Sequence, residues 1–243
     1  MPKFTRGDIE YMFENMQRSR IYLAQLKALA SIVDPLKPEK YLEIGSFDGL
    51  PFALFIFLAT DFNASACLEI TAVDSWAGGD EHKAAEMDMS NVESVFDKIS
   101  ARCGEICGED LKLEKLKGQS RNALIKLAGR PGYYDLILID AGHKSKEVLS
   151  DLVLAWDLLR AGGVLIVDDY TWTPMHVAGG DLLLNSPKLG IDSFVNCYAD
   201  EISFLSNMPL LQLYLIKQSP LSLGSHYIHL PQVDLPEPLV SFF

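Results

Sequence analysis

Residues 41–49 read Y-L-E-I-G-S-F-D-G and run through Leu50-Pro51 into a greasy stretch that ends near Thr60. A short apolar run, a glycine turn and then a helix is the opening unit of an α/β sheet. Glycines at the end of a first strand let the backbone come close to a ligand. The helix behind them offers free N–H groups. Pro51 suits the first helical turn, where no N–H is needed. The spacing is G-x-x-x-G, through Gly45 and Gly49, so the G-x-G-x-x-G pyrophosphate fingerprint is absent. Taken alone, the motif also fits a tight turn with no ligand.

The rest of the chain repeats the same rhythm. Strands are predicted at Tyr41–Ile44, Ile70–Val73, Leu111–Leu116, Leu136–Ile139 and Val164–Val167. Helices are predicted between them at Pro51–Thr60, around Asn91–Arg102, at Arg121–Leu127 and at Lys146–Leu159, the last stopping at Gly162-Gly163. Short apolar strands joined through helices imply a doubly wound, mostly parallel sheet. Ile202–Leu205 and Leu211–Ile216, separated by S-N-M-P, read as a closing antiparallel hairpin, which makes a seven-stranded sheet. One domain is expected over 1–243. It comprises an N-terminal helical extension (1–37, with helical spacing over 8–33), a core (38–217) and an irregular Pro- and Ser-rich tail (218–243).

The formal net charge of −12 and pI of about 4.8 repel phosphate backbones, and no basic patch offsets them. Nucleic acid is therefore excluded as a partner. The start M-P-K-F-T-R-G-D lacks a signal-peptide core, and the greasy stretch from Pro51 is too short to span a bilayer. A cytoplasmic protein with no membrane association is expected. The expected partner is a small molecule, and a homo-oligomer is compatible with this reading. Cys67, Cys103, Cys107 and Cys197 suggest neither a disulfide scaffold nor a zinc site.

Each strand end carries a polar residue suited to a ligand. The second strand runs I-T-A-V-D-S-W, so Asp74, with Ser75 beside it, sits where an acidic side chain binds ribose hydroxyls. The third ends K-G-Q-S, which puts Gln119 and Ser120 where an adenine edge is read. In sequence, these favour an adenosine ligand without phosphates. E-I-G-S-F-D-G, V-D-S-W, K-G-Q-S, L-I-D-A-G-H and L-I-V-D-D-Y resemble the class I S-adenosylmethionine-dependent methyltransferases. The chain most resembles the macrocin-type sugar O-methyltransferases, over roughly residues 38–217. Five parallel strands closed by an antiparallel pair is also the order of that Rossmann-like methyltransferase fold. The resemblance implies that Glu43, Gly45, Ser46 and Gly49 hold the methionine part of S-adenosyl-L-methionine. It places the ribose on Asp74 and Ser75, and the adenine on Gln119 and Ser120.

Asp140 ends the fourth strand, and Asp168-Asp169 end the fifth. Neighbouring strands would bring three carboxylates to one edge of the cleft, and a hard divalent cation is the simplest relief of their repulsion. The resemblance implies Mg²⁺ at Asp140, Asp168 and Asp169, chelating two oxygens of the acceptor. The spacing from Asp140 to Asp168 also resembles that of the catechol-type enzymes. His143 is the candidate general base, since its ordinary pKa is near working pH. Lys144 is the rival, because the catechol-type enzymes carry a lysine there. Other readings stay open: Asp140 as a cofactor ligand only, the aspartate pair as a cap, and His143 as the start of the following helix. Trp76, Tyr170 and Trp172 follow strand ends as candidate walls for the acceptor. The function expected is O-methylation of a small hydroxylated molecule, sugar or catechol-like. The rivals are an NAD-dependent oxidoreductase, a non-catalytic interaction module that keeps the cofactor fold, and a nucleic-acid methyltransferase.

Overall fold

The structure, a computed structural model, describes residues 3–16, 23–174, 181–218, 227–236 and 239. Eight strands form one sheet: β1 Lys40–Ile44, β2 Leu68–Asp74, β3 Leu111–Lys117, β4 Tyr134–Ile139, β5 Leu159–Val167, β6 Ile202–Ser206, β7 Leu213–Lys217 and β8 Tyr227–His229. Their spatial order is β3-β2-β1-β4-β5-β7-β6-β8. β1 to β5 are parallel, while β7 runs antiparallel to both β5 and β6. The fold is thus the mostly parallel, doubly wound sheet with an antiparallel end that the sequence predicts.

The central strands are buried almost throughout because helices cover both faces. One face carries α1 Arg6–Asn15, α2 Leu23–Leu36, α3 Leu50–Phe62 and α5 Met89–Cys107. The other carries α6 Ser120–Leu127, α7 Ser145–Leu158 and α9 Lys188–Cys197. Two short helices, α4 Asp80–Ala84 and α8 Asp181–Leu184, lie in connections beyond the carboxyl ends of the strands. α3 is apolar all round, as a helix packed between the sheet, α2 and α5 must be. No helix among the described residues is long and apolar enough to cross a membrane.

The structure departs from the sequence reading in several places. The predicted seven strands become eight, because Tyr227–His229 pairs in parallel with β6. A three-residue strand leaves no periodic signal, and its stability comes from the open edge it fills. The irregular tail expected over 218–243 is therefore ordered in part, and 219–226 lie outside the described residues. The helical pattern over 8–33 resolves as α1 and α2, with 17–22 outside the described residues. α9 was not predicted; it buries Gly190, Ile191 and Phe194 and packs on α7. α7 ends at Leu158, so Gly162 and Gly163 lie inside β5, where pairing with β4 shifts register.

The chain steps outward from β1 to β2 and β3, then crosses back to place β4 on the other side of β1. At such a reversal the loops after the two central strands diverge and open a crevice at the carboxyl edge. Gly45, Asp74, Gln119, Asp140 and Asp168 all follow or end strands at that edge.

Candidate functional site

The glycine loop is fixed by contacts that only glycine permits. Gly45 has φ +93°, and its N–H donates to the Val73 carbonyl at 2.8 Å. A methyl group added there would sit 1.7 Å from the Asp140 carbonyl oxygen. The backbone after β1 therefore touches the backbone after β4. Gly49, at φ +91°, starts α3. Phe47 between them also has positive φ and gives its N–H to Asp74 Oδ2 at 2.9 Å.

Asp74 accepts the Trp76 N–H through Oδ1 at 2.7 Å, so its carboxylate ties the glycine loop to the turn after β2. Each oxygen retains acceptor capacity for a ligand. Trp76 is buried, donates its indole N–H to the Phe47 carbonyl and packs on Phe96. It belongs to the loop's support and not to an acceptor wall. The Ser75 hydroxyl accepts the Ala77 N–H. Gln119 is exposed at the cap of α6, and Ser120 is the first residue of that helix. Burial pushes Asp151 of α7 up to about 6, and the Ser120 hydroxyl pulls against that rise.

Glu43, at the end of β1, is fully buried. Its Oε2 accepts the Tyr41 hydroxyl at 2.6 Å, whereas its Oε1 and the Ser46 hydroxyl find no partner beyond each other. Burial pushes the Glu43 carboxyl up to about 8 despite the hydrogen bonds from Tyr41 and Ser46, and the charges of Asp74 and Asp48 add to the rise.

The carboxylates expected at the ends of β4 and β5 do gather, but in a different set. Ligand atoms of Asp140, His143 and Asp169 all lie within 4.8 Å of one another. His143 Nε2 is 2.8 Å from Asp169 Oδ2, and Trp172 packs against the imidazole with ring centroids 4.1 Å apart. Asp169 reaches it from a positive φ of 60°. The Asp168 carboxylate is held elsewhere: Oδ1 accepts the Asp169 N–H at 2.7 Å, and Oδ2 accepts the Gln212 amide at 2.8 Å. Gln212 in turn accepts the Tyr214 hydroxyl.

Charge accumulates at this edge. Burial raises Asp140 well above the usual carboxylate range, and the charges of Asp168 and Asp169 raise it further. Burial, then the Asp169 charge, pushes Asp168 up to about 6 against the hydrogen bonds it accepts. Burial would lower His143, but its bond to Asp169 and the nearby Glu81 carboxylate outweigh that and raise it. A cavity of about 10 Å³ lies among Asp140, Gly142, His143, Val148, Asp168 and Asp169. That is room for one water or one ion, not for an organic molecule.

Lys144 is not part of the cluster. It caps α7 and pairs with Asp80 of α4 at 3.0 Å, half exposed. Tyr170 likewise turns away, bonded to Asp192 and Lys188 on α9. Of the three candidate wall aromatics, Trp172 alone touches the cluster. Glu81 and Gln212 were missed by the sequence reading. Glu81 Oε1 lies 3.9 Å from His143 Nδ1, which is buried without a partner. His82 stacks on Phe47 and accepts the Gly79 N–H at 2.9 Å. No motif marks them, because α4 and the β6–β7 hairpin reach the site only through the fold.

A family model described as a methyltransferase domain matches residues 42–170, the span from β1 to the turn after β5. A search of curated proteins found no match. Among solved structures, the chain is similar to the O-methyltransferase from Bacillus cereus in complex with SAH. The identity there is 17%, the TM-score 0.61, and the match covers 88% of this chain and 92% of that one. It is similar to the O-methyltransferase TomG from Streptomyces achromogenes, involved in tomaymycin synthesis and solved with SAM, at 15% identity and TM-score 0.61 over 89% and 92%. The SAH-bound methyltransferase PaMTH1 from Podospora anserina matches at 17% identity and TM-score 0.59, covering 89% of each chain. At these identities the likeness establishes the fold.

Proposed function

The chain belongs to the methyltransferase-domain family, and from that premise we propose that it methylates a hydroxyl oxygen of a small acceptor, using S-adenosylmethionine beside a divalent cation. The acceptor proposed is a molecule with neighbouring hydroxyls, a sugar or a catechol-like ring. The observation that carries this reading is the convergence of Asp140, His143 and Asp169 next to the glycine loop. The names of the similar structures, O-methyltransferases solved with SAM or SAH, point the same way.

The residues present fit the cofactor. Glu43 Oε1 and Ser46 Oγ are buried polar atoms with no partner beyond each other at the loop where a ligand's polar end belongs. Glu43, Gly45, Ser46 and Gly49 would face the methionine end, Asp74 and Ser75 the ribose, and Gln119 and Ser120 the adenine. S-adenosylmethionine supplies a sulfonium methyl group to an attacking oxygen. The acidic cluster fits a cation as well, since Asp140 and Asp169 crowd together with Asp168 behind them and no lysine or arginine relieves them among the described ion pairs. Asp140 and Asp169 would hold it, and when bound it would lower the pKa of a hydroxyl oxygen coordinated to it.

The chain's own part is proton removal and alignment. His143 Nδ1, the ring nitrogen left free by the Nε2 bond to Asp169, takes the hydroxyl proton, and Asp169 both orients the imidazole and stabilises its charged form. Trp172 holds the ring in place from one side. With its proton gone, the acceptor oxygen would be the nucleophile for the methyl group that the cofactor supplies. Lys144 stands apart in its pair with Asp80, so His143 is the base of choice.

The close approach of all three donors also favours a second reading, in which His143 is itself a ligand of the cation. One comparison separates the two. His143→Ala should lose roughly 10²–10⁴ in turnover while Mn²⁺ affinity, read by calorimetry, stays near wild type; loss of the metal would make it a ligand. Lys144→Ala should keep near-normal turnover. Full activity of the wild type in excess EDTA would remove the cation from the proposal. Failure of the folded protein to bind either SAM or SAH would remove the cofactor.

A further inference from the structure

Two residues that bind Asp74 hold backbone conformations that side chains resist. Phe47 has φ 47° and Trp76 has φ 45°, in the left-handed region where a Cβ is penalised. Both give their backbone N–H to the same carboxylate, Phe47 to Oδ2 at 2.9 Å and Trp76 to Oδ1 at 2.7 Å. The ring closes through the Trp76 indole N–H, which donates to the Phe47 carbonyl at 2.8 Å. The Asp74 carbonyl accepts the Gly118 N–H at 2.8 Å, so its main chain and its carboxylate are both fixed. The indole is itself anchored. It is buried, with the Phe96 ring 5.1 Å away between centroids and the Lys115 ammonium 4.3 Å from its centroid. Glu93 and Asp97 of α5 hold that ammonium. Strain on two partners of one side chain persists only where the surroundings enforce it. Here it fixes the direction of the Asp74 oxygens.

We propose that Trp76 is a positioning residue for the sugar hydroxyls of the nucleoside, acting through Phe47 and Asp74. The inference rests on the cofactor reading above and adds to it the residue that sets how strictly ribose is told from deoxyribose. A carboxylate oxygen held by one N–H keeps acceptor capacity for a second donor, in a restricted direction. With the indole bond in place, both Asp74 oxygens present those directions before a ligand arrives, and little ordering remains to be done on binding. Without it, the Phe47 carbonyl loses this donor. The strained turn at Phe47 can then relax and take with it the N–H that holds Asp74 Oδ2. Contacts made by the sugar hydroxyls therefore depend on the indole, and contacts made by the rest of the ligand do not.

The test is calorimetry of SAH and of its 2′-deoxy and 3′-deoxy analogues against wild type and Trp76→Phe. Phenylalanine keeps an aromatic ring in the pocket and removes only the N–H donor and part of the ring. Wild type should prefer SAH over at least one deoxy analogue by about tenfold or more, the worth of a hydrogen bond to a charged group. Trp76→Phe should shrink that preference by roughly threefold to tenfold, the worth of one neutral hydrogen bond, while binding the deoxy analogue as wild type does. Equal weakening of SAH and of both analogues would make the indole a support of the fold alone. That result would overturn the inference and leave the cofactor reading standing. Wild type that binds all three ligands alike would also overturn it, since Asp74 would then meet no sugar hydroxyl. Absence of SAH binding to folded wild type would overturn both. Should Trp76→Phe fail to fold, hydrogen exchange of the Trp76 indole N–H in wild type, followed by NMR, decides. Coupling is reciprocal, so SAH should slow that exchange roughly threefold to tenfold more than the deoxy analogue does. Equal slowing by the two ligands would overturn the inference.

Discussion

Replacing Gly45 with alanine tests the central joint of the fold and the site at once. The added methyl group would lie 1.7 Å from the Asp140 carbonyl oxygen, 2.4 Å from its carbonyl carbon and 2.9 Å from Ala141 Cα. All three are backbone atoms, so no rotamer can relieve the overlap. Ordinary contact begins near 3.4 Å, and the two strand ends must part by more than 1 Å. Two backbone bonds resist that movement: Gly45 N–H to Val73 O and Asp140 N–H to Ile44 O, each 2.8 Å. The left-handed φ adds about 1–2 kcal/mol for any residue with a Cβ, and forced overpacking adds roughly 1–3 kcal/mol. A loss of about 2–5 kcal/mol is therefore expected in urea unfolding, a large share of a typical domain's stability. Gly49 offers the internal control. It has nearly the same φ, but its added methyl would meet only the Phe96 ring, at 3.1 Å, and a side chain can move. Gly49→Ala should therefore cost about 1–2 kcal/mol. In the folded fraction of Gly45→Ala, displacement of Asp140 should also weaken Mn²⁺ binding in calorimetry. Equal costs for the two variants, or a Gly45→Ala protein with unchanged metal affinity, would refute the argument.

Two further outcomes are expected. Glu43 has an ordinary value of 4.5 and rests at about 8 in the folded chain, so the unfolded state gives up its proton first and stability falls as pH rises between those values. Thermal melts should accordingly show Glu43→Gln gaining on wild type from pH 4.5 to 8, with a ceiling of about 5 kcal/mol at about 1.4 kcal/mol per pH unit; a gain independent of pH would contradict the burial argument. Gln212→Leu removes the amide that steadies Asp168 and should weaken Mn²⁺ binding by roughly 10–100-fold, measured by titration at pH 7; unchanged affinity would leave Asp168 with no part in holding the ion.

The sequence shows most of the sheet because its strands are covered on both faces. Leu136 to Ile139 and Val164 to Val167 read as unbroken apolar runs for that reason. The glycine loop is legible because a close approach of two backbones demands glycine and nothing else. Other features hide because the deciding partner is remote in the chain. Tyr227–His229 becomes a strand only because β6 offers an open edge. α9 follows Pro187 with a narrow apolar stripe, which becomes meaningful once Gly190 lies against the Ser145 carbonyl of α7.

The same limit explains why the acidic residues were found while their roles were only half found. Asp168 and Asp169 are adjacent, and nothing local distinguishes them. The backbone does so in three dimensions, since the positive φ of Asp169 swings its carboxylate toward His143 and leaves Asp168 facing Gln212. His143 and Lys144 are a second adjacent pair with opposite fates. At the start of α7, one residue points back into the cleft and the next points out to Asp80. A neighbouring pair of like residues at a strand end thus splits into a site member and a support. The remote hydrogen-bond partner, here Gln212 on the closing hairpin, decides which is which. The hairpin that identifies this sheet therefore also sets the carboxylate geometry on which the proposed chemistry depends.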